Sequence, residues 1–99
     1  MTSMSERVLL LDSHSPPIRN GSGSYEFKAD CGLQQFIVET DARITFGLNE
    51  SQAQIRLREL CHKIQLAAQA RRDEGDADPE SSQPGELIFR IRLSAESLA

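Results

Sequence analysis

A chain of 99 residues, 38% hydrophobic and 26% charged, has the size of a single domain (residues 1–99) with material for one modest core. A formal net charge of −4 argues against wholesale electrostatic capture of nucleic acid or an anionic membrane, since phosphate-binding surfaces carry an excess of Lys and Arg. The two cysteines, Cys31 and Cys61, show neither CxxC spacing nor the density of a disulfide framework, so reduced thiols in a cytoplasmic protein are expected.

Residues 1–5 are expected to be flexible, and residues 6–11 end in an apolar run, Val8 to Leu11, that suits a strand. Asp12 ends that run at once, so it is too short for a signal h-region or a membrane span. Residues 12–24 (DSHSPPIRNGSGS) hold two prolines, two glycines and several serines and read as a long loop. From Tyr25 to Cys31 apolar and polar residues alternate, with Tyr25, Phe27, Ala29 and Cys31 on one side. Gly32 and Leu33 turn the chain into a second β-rich run, Gln35 to Thr40, with Phe36 and Val38 inward and Ile37 outward. Residues 43–48 (RITFGL) alternate once more and favour a fourth strand with Phe46 inward, although Thr40 and Asp41 can instead cap a short helical turn.

Asn49, with Gln52 three residues on, forms a capping-box arrangement that opens a helix over about residues 50–72. Ala53, Leu57, Leu60, Cys61, Ile64, Ala67 and Ala68 make its apolar stripe, and Arg71 and Arg72 suit the negative end of its dipole. Residues 73–85 (DEGDADPESSQPG) are acidic, then rich in Ser, Pro and Gly, and read as a mobile loop. Glu86 to Leu93 closes the chain as a strand, with Leu87, Phe89, Ile91 and Leu93 facing in and Ile88, Arg90 and Arg92 facing out. The fold expected is α+β: a mostly antiparallel sheet of four or five strands against one long amphipathic helix, in the order β-β-β-(β)-α-β.

No catalytic, cofactor or metal site is expected. Glu59 and His62 form an E-x-x-H pair, but the second copy and the further glutamates of a di-iron bundle are missing. Cys61 lies beside His62, yet adjacent helix residues point about 100° apart, and Cys61 falls on the apolar stripe, where packing explains it. The acidic run from Asp73 to Glu80 departs from the ligand order of an EF-hand, and NGSGS (20–24) precedes a strand and lacks the Lys-Ser/Thr of a phosphate loop.

Two surfaces stand out. Arg56, Arg58 and Lys63 on the helix, with Arg90 and Arg92 on the last strand, would give a basic patch for nucleic acid if they share a surface, although a solvated helix face explains them as well. Ile55 and Leu66 lie eleven residues apart, three turns, on the helix side away from its stripe, and Ile37 and Ile88 face outward from their strands. Four aliphatic groups that one helix cannot cover suggest a partner surface, most simply a homodimer.

The hairpin YEFKADCGLQQFIVE, the step ITFG, a polar-start helix with a basic end and a closing strand together resemble a family of short bacterial proteins catalogued only as a domain of unknown function. The likeness covers about residues 24–93. The closing IRLSAESL lacks that family's acidic-aromatic ending, and the 73–85 loop is longer. The resemblance implies the fold and a bacterial source, with no catalytic residue to carry over. The reading of function is therefore a non-enzymatic interaction or adaptor module, self-associating, with a nucleic-acid-binding regulator as the alternative.

Overall fold

The alternation in residues 25–40 produces the centre of the sheet. In this computed structural model, which describes residues 8–12, 14–32, 34–80 and 88–98, the chain forms β1 (Leu10–Leu11), β2 (Ile18–Arg19), β3 (Tyr25–Cys31) and β4 (Gln34–Thr40). A 3-10 turn (Ala42–Ile44), α1 (Glu50–Glu59), α2 (Cys61–Asp73), β5 (Asp78–Pro79), β6 (Ile88–Leu93) and a final 3-10 turn (Ala95–Leu98) follow. The flexible segment expected at 1–5 lies outside the described residues, as do positions 6, 7 and 33, residues 81–85 of the acidic loop, and the start of the last strand at Glu86 and Leu87.

β3 and β4 form an antiparallel hairpin, and Gly32, at φ 65°, takes the left-handed conformation that its lack of a Cβ permits. β6 then adds to the other side of β4 in parallel, Phe36 facing Phe89 and Val38 facing Ile91. The sheet is therefore mixed, which corrects the mostly antiparallel expectation; its order is β1-β3-β4-β6-β5, with β2 also on β3. Tyr25, Phe27, Ala29, Phe36, Val38, Ile91 and Leu93 line one face and pack against Ala53, Leu57, Ile64 and Ala68 of the helices in a single core. The Phe36 and Phe89 rings meet at 5.6 Å, tilted by 31°.

The expected single helix is two segments. Leu60, at φ −94° and ψ 1°, leaves the helical region between them, yet its amide still donates to the Arg56 carbonyl at 3.1 Å and its carbonyl accepts from Ile64 at 2.8 Å. The apolar stripe carries across the joint, with Leu57 and Ile64 both fully buried. The capping box is present, Asn49 Oδ1 accepting from the Gln52 amide at 2.8 Å and Gln52 Oε1 from the Asn49 amide at 3.1 Å. Buried Tyr25 ties the start of α1 to β3, its hydroxyl donating to Glu50 at 2.7 Å.

The strand expected over 43–48 is absent, and its place is taken by the 3-10 turn Ala42–Ile44, so Phe46 stands 87% exposed instead of entering the core. The physical reason is twofold. β3 and β4 each already have strand partners on both sides, and Asp41 Oδ1 accepts from the Arg43 amide at 3.0 Å, bending the chain at once. Two stretches read as loops also carry short strands: β2 within 12–24, and β5 within 73–85, where Asp73 is still helical.

β1 and β2 both pair antiparallel with the same edge of β3, Leu11 facing Ala29 and Ile18 facing Glu26. The Asp12 amide bonds inward to the Lys28 carbonyl at 2.8 Å, so the alternate amides of Leu9 and Leu11 point outward. Helix glutamines take both: Gln69 Oε1 accepts from Leu9 at 2.6 Å and Gln65 Oε1 from Leu11 at 3.2 Å. Gln54 Nε2 donates to the Pro17 carbonyl at 2.9 Å, so the same flank of the helix also reaches the start of β2. Each glutamine contact is worth about 1 kcal/mol, and Gln65→Ala and Gln69→Ala are each expected to lower urea-unfolding stability by that order. They should also speed hydrogen exchange at Leu11 and Leu9 respectively. Exchange at those two amides equal to that of the unsubstituted protein would refute the contacts.

Candidate interaction surface

The turn that replaces the strand expected over 43–48 builds the most exposed apolar feature of the described residues. Asp41 anchors it from two sides, Oδ2 accepting from the Ala95 amide at 3.0 Å while Arg43 clasps the carboxylate through Nε and through Nη2 at 2.7 Å. Arg43 reaches on to Glu96 at 3.2 Å, which fastens the turn to the C-terminal 3-10 turn. The chain then bends through Thr45, which is buried, and Gly47 at φ 82° before entering α1 at the Asn49 cap. Phe46 is held on the crest of that bend.

Beside it, Leu48 is 39% and Ile55 51% exposed, and with Ile44, Gln52, Arg56 and Glu59 they line an open groove of about 440 Å³. Ile44, Phe46 and Leu48 line it from the turn, and Ile55 from the outer side of α1, opposite the face that buries Ala53 and Leu57. Leu66 projects from the same outer side of the rod further along, 56% exposed.

Of the four aliphatic residues singled out by the sequence, Ile55 and Leu66 thus share the helical side. Ile37 and Ile88 do not join them. They sit on the opposite face of the sheet, where Ile37 faces Arg90 and Ile88 faces Gln35, and both are half-buried. That face is held by an ion cluster: Arg90 Nη1 bonds Glu26 at 2.9 Å and Glu39 at 2.7 Å, and Nη2 bonds Glu80 at 3.0 Å, leaving the Arg90 side chain only 13% exposed. Asn20 and Arg90 together hold the Glu26 carboxyl below its ordinary value.

The five basic residues are likewise divided. Arg56, Arg58 and Lys63 are exposed on the helices, whereas Arg90 and Arg92 lie across the sheet, Arg90 enclosed by carboxylates and Arg92 near Glu39 at 3.5 Å and Asp78 at 3.7 Å. Much of the acidic segment is also paired, Asp73 with Arg72 and Asp76 with Arg71 as well as Asp78 and Glu80 with the last strand. Cys61, expected in the core, is exposed, because at 100° per residue it falls at the margin of the stripe centred on Leu57 and Ile64. Glu59 and His62 are both exposed, and no group of three or more His, Cys, Asp or Glu suited to a metal forms among the described residues. No helix among them is long and apolar enough to cross a membrane.

Phe46 and Leu48 are the residues that sequence reasoning missed. Their alternation with Ile44 mimics a strand, and the contrary signals were Asp41, a cap followed two residues later by its own cation, and Gly47 directly after the aromatic. No family model, curated protein or solved structure matches this chain.

The Arg43 guanidinium, then the Arg43 amide, hold Asp41 far below the ordinary carboxylate range. A carboxyl whose folded-state pKa is depressed stabilises the fold fully above its unfolded value, near 3.8, and loses that contribution as pH falls toward the folded value. The melting temperature should therefore fall on acidification below about pH 4. Asp41→Asn should lower it near neutral pH and make the acid-induced fall shallower; an acid slope unchanged by Asp41→Asn would show that this carboxylate does not secure the turn.

Proposed function

We propose that this chain is a non-enzymatic protein-protein interaction module, probing its partners with the groove between the Phe46 turn and the outer side of α1, and that it self-associates. One observation carries the reading: a phenylalanine 87% exposed on a turn pinned by Asp41, beside exposed Leu48 and Ile55. Keeping an aromatic ring in water is costly, and a rigid turn cannot fold it away, so a complementary surface gains the burial of the whole ring on docking. The polar rim of Gln52, Arg56 and Glu59 around an apolar centre has the layout of a binding patch.

The nucleic-acid reading has less support, because two of its five cations lie on the other side of the sheet and Arg90 already faces three carboxylates. A cytoplasmic setting completes the proposal; the exposed, unpaired Cys61 supports it.

Affinity capture with the full chain as bait, from its native cells, tests the assignment. Phe46→Asp and Ile55→Asp are surface changes that should leave circular dichroism and melting near those of the unsubstituted chain, within about 0.5 kcal/mol. Both should lose the captured proteins, while Ile88→Asp on the other face should retain them. A captured set that is the same for bait with and without the groove substitutions would overturn the assignment.

A further inference from the structure

Resting on that reading, we infer that the occupant of the groove is a second copy of this chain. The two α1–α2 rods pair antiparallel about a two-fold axis near Leu60 and Cys61, and Leu66 of each copy enters the groove of the other.

Spacing carries the inference. Ile55, at the groove, and Leu66, the exposed knob, are eleven residues apart, which is three turns and about 16 Å along a helix, so both face outward on one line. Their midpoint falls at the joint between α1 and α2. When two such rods run in opposite directions about that midpoint, position 55 of one copy is level with position 66 of the other, and the converse holds at the far end. A hole and a knob on one surface at matching distances from a midpoint are what an isologous contact needs, because each copy must supply both halves. A groove of about 440 Å³ lined by Ile44, Phe46, Leu48 and Ile55 has room for a leucine side chain.

Charge agrees with this direction of pairing. Glu59, His62 and Lys63 are exposed, and Glu59 and Lys63 have no ion pair among the described residues. In the antiparallel register Glu59 of each copy comes level with His62 and close to Lys63 of the other, giving two carboxylate-ammonium contacts related by the two-fold. A parallel arrangement would set Glu59 against Glu59 and leave both Leu66 knobs without a hole. The contact is one helix pair with an aromatic at each end, at the small end of specific interfaces, so the dimer should be reversible with concentration.

Sedimentation velocity from about 10 µM to about 1 mM should show the chain passing from monomer to dimer. Ile55→Asp and Leu66→Asp should each remain monomeric throughout. Glu59→Lys and Lys63→Glu should each weaken dimerisation about tenfold, and the double substitution should recover most of the loss. Register is read by cross-linking in a Cys61→Ser background: Ile55→Cys mixed with Leu66→Cys should form a disulfide dimer on oxidation, and Ile55→Cys alone should not.

A chain that stays monomeric at every concentration overturns the pairing, and so does an Ile55→Cys chain that cross-links with itself. The capture experiment separates the two proposals. If the monomeric chain still captures proteins through the groove, the interaction module stands, while self-association and the second copy in the groove are both lost; if capture ignores the groove substitutions as well, the module fails too.

Discussion

The parallel pairing of β4 with β6 is the constraint from which the rest of the architecture follows. Parallel neighbours cannot be joined by a tight turn, so the chain has to leave the end of β4, travel the length of the sheet and re-enter beside it. The α1–α2 rod makes that return, and it lies on one sheet face because its stripe of Ala53, Leu57, Ile64 and Ala68 is buried only there. Burying side chains such as Leu57 and Ile64 completely is worth roughly 1.5–3 kcal/mol each, large against the 5–15 kcal/mol or so that holds a small domain folded. The 3-10 turn and the Phe46 bend are the first steps of the same crossover, so the apolar groove is placed by the topology as well as by its own residues.

The two faces of the sheet are closed by different chemistry. Under the helices the closure is aliphatic and aromatic. On the opposite face Arg90 gathers Glu26 from β3, Glu39 from β4 and Glu80 after β5, so one guanidinium spans three segments that are far apart in the chain. Such clusters add little net stability, because desolvating the charges offsets most of their attraction. Their geometry is nonetheless directional: a slip of β6 by one residue would turn Arg90 toward the apolar layer and leave three carboxylates without it. The cluster thereby specifies register more than it adds strength.

How far the sequence foretold this depends on whether a signal is local. The hairpin was legible because Tyr25, Phe27, Ala29 and Cys31 alternate without interruption, and the start of α1 because Asn49 and Gln52 are a reciprocal cap recognisable from two letters. The parallel direction of β6 was not, since Phe89, Ile91 and Leu93 would face inward whichever way the strand ran. The joint at Leu60 has no glycine or proline to announce it. At residues 43–48 a genuine period-two pattern was overruled because Asp41 turns the chain directly after β4, whose two sides β3 and β6 already occupy. The candidate surface was half visible for the same reason: Ile55 and Leu66 follow from helical phase alone, whereas Phe46 becomes a surface residue only once the turn has displaced the strand. Arg90 read as an outward cation, and only pairing across β3, β4 and the segment after β5 turns it into an enclosed one.

The glutamines that occupy the outward amides of Leu9 and Leu11 bear on how large any assembly can grow. A bare sheet margin recruits neighbour after neighbour without end, because each added strand presents a fresh margin of its own. Here that margin is already spoken for by the molecule's own side chains, so growth by strand addition is blocked along β1. The pairing proposed above would use the helical side instead, where a symmetric contact consumes itself and halts at two.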